Sequence, residues 1–116
     1  IEEGVEYGLL RVDGASAGYY ALIPDTTTHS AMLSKFYIDS RSRGRGYARA
    51  MLKHIENRCY ELEMNEIWLT VNRGNAAPIA IYKRLGFEIT GELVKDIGNG
   101  FVMDDYRMAK SIPSHG

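Results

Sequence analysis

The sequence predicts one mixed α/β domain whose sheet is mostly antiparallel, and three observations support this. Apolar residues recur every three to four positions over residues 46–63, which is the spacing of an amphipathic helix. Short β-rich runs flank that helix, and the order strand, helix, strand predicts a central βαβ unit with two parallel strands. The turn sequences Asp13-Gly14 and Gly98-Asn99-Gly100 separate further β-rich runs and favour antiparallel hairpins.

The elements follow in order along the chain. The first two strands form a hairpin, and the second is expected to end before Pro24, which has no N–H to donate. The long helix carries one apolar stripe, and Asn75 is expected to cap a second helix that has Pro78 in its first turn and ends at Gly86. Ile81 and Leu85 are expected to mark the inner face of this second helix. Residues 112–116 are expected to form a loose tail. The predicted strands are residues 7–12, 18–23, 33–38, 66–71, 87–94 and 101–108.

Composition narrows the function classes. The 116 residues include 14 Lys and Arg against 15 Asp and Glu, a net charge of -1, so a nucleic-acid partner is not expected. No apolar run approaches the ~20 residues that cross a bilayer, and no leader is visible, so we expect no membrane partner. A single cysteine excludes an intramolecular disulfide, so we expect a cytoplasmic protein. Cys59 is the only cysteine and the three histidines share no ligand spacing, so no metal is expected.

The segment that carries chemistry is the arginine- and glycine-rich turn before the long helix. The first amides of a helix have no intrahelical partner, and the helix dipole attracts negative charge there. Gly44 and Gly46 allow the backbone to approach a ligand, while Arg41, Arg43 and Arg45 add positive charge. The turn therefore predicts a phosphate or pyrophosphate site.

Two common phosphate motifs are excluded by single positions. A Walker loop needs lysine and then serine or threonine where this chain has Tyr47 and Ala48. A dinucleotide fingerprint needs a third glycine where Arg49 stands, and one βαβ unit is too little for a dinucleotide fold.

Four matched features make the chain resemble the GNAT family of N-acetyltransferases over residues 33–87. The pattern Arg43-x-x-Gly46-x-Ala48 is similar to the signature Gln/Arg-x-x-Gly-x-Gly/Ala of that family. Asn75 and Tyr82 match the spacing N-x-x-A-x-x-x-Y, and Leu85-Gly86-Phe87 matches the ending that follows it. The strand before the turn and the helix after it correspond to the fourth strand and third helix of the family.

The resemblance implies acetyl-CoA as co-substrate, received where the two parallel strands splay apart. Backbone amides of the turn would hold the pyrophosphate, the backbone of the preceding strand would pair with the pantetheine arm, and Asn75 would bond the pantetheine, cap its helix, or both. Tyr82 would protonate the leaving thiolate. The implied cofactor-binding residues are Phe36, Tyr37, Ile38, Arg43, Gly44, Arg45, Gly46, Tyr47, Ala48 and Asn75, with Tyr82 as the catalytic residue.

The function implied is acetyl transfer to a primary amine, on a small molecule or a peptide, by direct attack in a ternary complex. The strand over residues 33–38 has no carboxylate, so the base is expected to be water relayed by backbone carbonyls, or a carboxylate elsewhere such as Glu92 or Asp105. A non-catalytic acyl-CoA-binding or regulatory module, and an incomplete domain that needs a partner chain, remain alternatives.

The chain departs from the family at its start. The family domain opens with a strand and two helices, and this chain starts close to the second strand. A fragment of a longer chain, a homodimer partner that covers the gap, or a minimal family member would each explain this. We expect residues 1–116 to be a single GNAT-like domain, truncated at its N-terminus.

Overall fold

A computed structural model of the protein describes residues 4–113. The chain forms a six-stranded sheet and two α-helices, and it divides into two compact units, residues 4–67 with 111–113 and residues 68–110. A short 3₁₀ turn, Ser40–Ser42, precedes the first helix. The elements are β1 (Glu6–Val12), β2 (Ala15–Asp25), β3 (Ser30–Ile38), α1 (Tyr47–Glu61), β4 (Glu66–Asn72), α2 (Ala76–Arg84), β5 (Glu88–Gly98) and β6 (Phe101–Ser111).

The first unit is an antiparallel β1-β2-β3 arrangement with α1. Strands β1 and β2 form the predicted hairpin, closed where Val12 pairs with Ala15 around a two-residue turn. The helix buries four residues of the predicted stripe. Arg58 of the same helix donates from Nε and from one terminal amino group to the carboxylate of Glu6 in β1. The four buried residues are Met51, Leu52, Ile55 and Cys59.

The predicted end of β2 at Pro24 was wrong, since the strand continues to Asp25 and Pro24 pairs with Ala31 of β3. The register of β1 with β2 stops at the pair Glu6 and Leu22. Beyond Leu22, β2 therefore has a partner on one side only within the described residues. A proline is tolerated at such an edge because no ladder bond needs its missing N–H.

The second unit has the strand order β4-β6-β5. Strands β5 and β6 form an antiparallel hairpin closed by Asn99 and Gly100, both with positive φ, as the turn sequence predicts. Both strands run longer than predicted, to Gly98 in β5 and to Ser111 in β6.

Two local details of the sequence prediction also change. Ile79, not Ile81, faces inward from α2: Ile79 is 9% exposed and Ile81 is 42% exposed. Ile112, which we expected in a loose tail, is buried, and its N–H donates to the carbonyl of Asn65 at 2.8 Å. Residues 114–116 of that tail lie outside the described residues.

Candidate functional site

The anion turn, residues 43–48, connects the 3₁₀ turn to α1 and is built on two glycines. Gly44 has φ +78° and Gly46 has φ +80°, a conformation that side chains with a Cβ rarely adopt. A Cβ built on either glycine would meet nothing within 4 Å. The backbone of the turn is therefore open to a ligand, and a side chain would occupy that opening.

The start of α1 leaves backbone donors available at this turn. Gly46 is the N-cap residue, no side chain caps the helix, and the first turn has no acidic residue. The helical ladder begins when the amide of Ala50 donates to the carbonyl of Gly46, so the amides of Tyr47 and Ala48 have no intrahelical partner. Donors without an acidic neighbour suit an anion such as a diphosphate.

The arginines of the turn differ in how they are held. Arg43 donates its Nε–H to the carbonyl of Ile38 at 3.0 Å, and its guanidinium carbon lies 5.9 Å from the ring centre of Tyr37. Arg41 pairs with Asp39 at 3.3 Å, and Arg45 is exposed. The anion turn therefore carries two cations, Arg43 and Arg45, with Arg41 just before it, and Arg43 is anchored to the end of β3.

The backbone of β3 alternates between two directions at the site. The amide of Asp39 donates to the carbonyl of Ala17 at 2.7 Å, so Asp39 faces β2. Because direction alternates along a strand, Tyr37 also faces β2 and Ile38 faces away from it. The backbone groups of Phe36 therefore face away from β2 as well, and the predicted pantetheine contacts of Phe36, Tyr37 and Ile38 stay a prediction.

The close approach of β2 to this part of β3 depends on Gly18. Gly18 is buried and pairs with Ile38. A Cβ on Gly18 would lie 2.4 Å from the backbone oxygen of Tyr37, which is closer than atoms can approach. No motif in the sequence marks this position, because its role depends on the pairing register of β2 with β3.

In the second unit, Asn75 occupies the predicted N-cap position of α2, but its side chain makes no capping hydrogen bond. Asn75 contributes its carbonyl, which accepts the amide of Ile79 at 3.2 Å. An N-cap side chain bonds the amide of the second or third helical residue, and the third here is Pro78, which has none. The predicted side-chain cap was therefore wrong.

Tyr82 lies on α2 and is half-buried. Its ring meets Phe87 edge-on with centres 5.7 Å apart, and burial raises the pKa of its phenol above the usual 10. Gly86 ends the helix with φ +101°, and Lys110 donates to the last-turn carbonyl of Leu85 at 2.9 Å. The phenol of Tyr82 is thus protonated throughout the neutral range, as a proton donor requires.

A cluster around Arg73 was not visible in the sequence. Arg73 donates hydrogen bonds to both carboxylate oxygens of Asp104 at 3.1 Å and to the hydroxyl of Tyr106 at 3.0 Å. It also forms a salt bridge with Glu92 at 3.1 Å. Glu92, one of the two suggested bases, is therefore engaged in an ion pair. Asp105, the other, is half-buried and pairs across the hairpin with Leu93.

Two further observations concern membrane and metal. Over residues 4–113, neither helix is long and apolar enough to cross a bilayer. The same part of the chain contains no group of three or more His, Cys, Asp or Glu arranged to hold a metal ion.

Comparison with known proteins identifies the family. A sequence model of the acetyltransferase (GNAT) family matches residues 2–87. An L-amino acid N-acetyltransferase of Escherichia coli is 32% identical over 92% of this chain and 68% of its own length. A spermine/spermidine N(1)-acetyltransferase of Bacillus subtilis is 33% identical over 72% of this chain, which spans 60% of that relative.

The fold is also similar to that of solved structures. The ribosomal-protein-S18-alanine N-acetyltransferase from Escherichia coli superposes with a TM-score of 0.78 at 24% identity, covering 100% of this chain and 74% of that one. The mixed α/β fold predicted from the sequence is confirmed. The chain belongs to the acetyltransferase (GNAT) family, and this membership also confirms the predicted class of chemistry, acetyl transfer to amines.

Proposed function

We propose that this protein transfers an acetyl group from acetyl-CoA to a primary amine, by direct attack of the amine in a ternary complex. The observation that carries the proposal is the anion turn, where two glycines with positive φ and uncapped helix amides leave an opening for a diphosphate. Family membership supplies the reaction class. No covalent enzyme intermediate is required, so no serine or cysteine nucleophile is needed.

The donor side of the proposal uses the first unit. Amides of residues 43–48 hold the pyrophosphate, aided by the positive charge of Arg43 and Arg45. The outward backbone groups of Phe36 and the N–H of Ile38 pair with the pantetheine arm as an added strand would, while the carbonyl of Ile38 accepts from Arg43. A strand amide donates to the thioester carbonyl, where negative charge develops as the amine attacks.

Proton transfers complete the proposed reaction. The thiolate of coenzyme A leaves as the new amide forms, and the phenol of Tyr82 supplies its proton. A phenol whose pKa is raised by burial is fully protonated at neutral pH and available for this step. The amine loses its proton to water, since β3 carries no carboxylate. The side-chain amide of Asn75 makes no capping hydrogen bond to its helix, and it is proposed to form a hydrogen bond with the pantetheine.

The acceptor is proposed as a primary amine on a small molecule or a peptide. Relatives with significant similarity carry names that specify an L-amino acid, spermine or spermidine, and the alanine of ribosomal protein bS18. The compounds in these names share an amine nitrogen and differ in the chemical groups around it. The homodimer and the cytoplasmic location stay predictions, and light scattering of the purified protein tests the first.

The test is release of free thiol from acetyl-CoA across a panel of amines, with amine-free reactions as the control. The panel includes amino acids, polyamines and a peptide with N-terminal alanine. Thiol release that depends on both substrates, with the acetylated amine found by mass spectrometry, supports the proposal. Tight acetyl-CoA binding without turnover on any amine would identify a binding module, and the absence of binding would refute the assigned turn.

A further inference from the structure

We propose that Arg43 is a positioning residue, which fastens the anion turn to the end of β3 so that one cofactor can engage both. The inference rests on the proposed function, since it concerns how the two donor-binding segments are held in register. The sequence signature places a cation at this position. The structure adds a second role, because the guanidinium is attached to the strand.

The side chain of Arg43 makes the hydrogen bond that reaches β3 itself. Its Nε–H donates to the carbonyl of Ile38 at 3.0 Å, whereas the backbone hydrogen bonds of this segment end outside that strand, from Ser42 to the carbonyl of Asp39 at 2.8 Å and from Arg43 to the carbonyl of Ser40 at 3.5 Å. The guanidinium also lies over the ring of Tyr37, which in turn packs against Tyr19 with ring centres 5.4 Å apart. One side chain therefore fixes the turn to β3 by a hydrogen bond and a cation–π contact.

Arginine has donors to spare after making this contact. Nε serves the carbonyl of Ile38, and within residues 4–113 the structure gives the two terminal amino groups of Arg43 no protein partner. A planar guanidinium can hold a carbonyl with one edge and still present donors to an anion with another. A lysine has one ammonium on a flexible stem and cannot hold the same strand contact in the same geometry.

The expected consequence is specific to a ligand that spans both segments. Pantetheine on β3 and diphosphate on the turn are parts of one molecule, so binding the first part raises the effective concentration of the second. That advantage depends on a fixed spacing between strand and turn. A loosened turn lowers affinity for the spanning ligand more than for a ligand that occupies the turn alone.

The experiment compares Arg43→Lys, which keeps the charge, with Arg11→Lys, the same change at an exposed position on β1. Calorimetry measures binding of coenzyme A, which spans both segments, and of ADP, which carries a diphosphate without pantetheine. We expect Arg43→Lys to weaken coenzyme A binding about tenfold, the loss of roughly one charge-assisted hydrogen bond, and ADP binding by no more than about twofold. Arg11→Lys should change neither.

A second measurement needs no ligand. Amide hydrogen exchange of the ligand-free protein should become faster over residues 39–46 in Arg43→Lys, with no change over the buried part of α1. The Arg11→Lys variant should exchange at the wild-type rate throughout.

Each other outcome overturns the proposal. Equal losses of affinity for coenzyme A and ADP in Arg43→Lys would show that Arg43 contributes only its charge. Tighter binding of coenzyme A would show that Arg43 competes with the ligand for the carbonyl of Ile38. If the wild-type protein binds no coenzyme A, the proposed function fails, and hydrogen exchange then decides the inference by itself. Unchanged exchange over residues 39–46 would show that Arg43 does not hold the turn.

Discussion

Replacing Gly46 by alanine tests the anion turn most directly, because the chain contains a matched control. Gly46 has φ +80° and Gly14 has φ +82°, and a Cβ at either position meets nothing within 4 Å. Both substitutions therefore force an alanine into the left-handed region without a clash. The strain is about 1 kcal/mol in each case.

The two variants should differ only in cofactor binding. Equal strain predicts equal losses of thermal stability, a fall in Tm of about 4 °C for a chain of this size. Only Gly46→Ala places a methyl group at the opening proposed for the diphosphate, and losing one charge-assisted hydrogen bond there costs roughly 1.5–3 kcal/mol. Affinity for acetyl-CoA should therefore fall about 10- to 100-fold in Gly46→Ala and stay unchanged in Gly14→Ala.

Calorimetric titration with acetyl-CoA and thermal melts of the three proteins complete the test. Equal affinity in both variants, at equal stability, would show that the diphosphate binds elsewhere. A stability loss confined to Gly46→Ala would show that the turn is needed for folding and would remove the basis of the comparison.

Three further predictions concern single residues. Tyr82→Phe keeps the ring that packs on Phe87, so turnover should fall about 100-fold with little change in acetyl-CoA affinity, and a Phe variant with full turnover would remove the assigned role. Because burial raises the pKa of the phenol, any alkaline loss of wild-type turnover that comes from Tyr82 should have its midpoint above pH 10. Gly18→Ala drives a Cβ against a backbone oxygen of β3, so the protein should lose about 1–3 kcal/mol of stability in urea unfolding, and an unchanged midpoint would contradict that close approach. Burial, and secondarily Glu6, raises the pKa of the Cys59 thiol to about 12. At pH 8 the folded protein should therefore not react with a thiol reagent, and the unfolded protein should, whereas rapid reaction of the folded protein would show that the thiol is accessible.

The elements that the sequence predicted well are those set by local pattern. The stripe of α1 and the turn at Asn99 and Gly100 follow from spacing and from residues that tolerate positive φ. The continuation of β2 through Pro24 could not be predicted in this way, because it depends on where β1 stops pairing. Local preference for a strand end was outweighed by the register of a neighbouring strand.

In the candidate site too, features set by consecutive residues were predictable and features set by tertiary contacts were not. The anion turn was readable because its glycines and arginines are consecutive, whereas the contact of Arg43 with Ile38 and the cluster on Arg73 require knowledge of side-chain direction and strand pairing. The absent cap at Asn75 is only partly indicated, since Pro78 removes one of the two helix amides that such a cap uses and the amide of Ala77 remains. That signal lies in the sequence itself.

Apart from Asn75 and Tyr82, the donor-side contacts proposed above come from one uninterrupted stretch, from Phe36 in β3 to Ala48 at the start of α1. This continuous segment can therefore be retained as a unit during evolution. Mutations in other elements can then change which amine is accepted without altering how acetyl-CoA is bound. One fold can in this way evolve specificity for different acceptors.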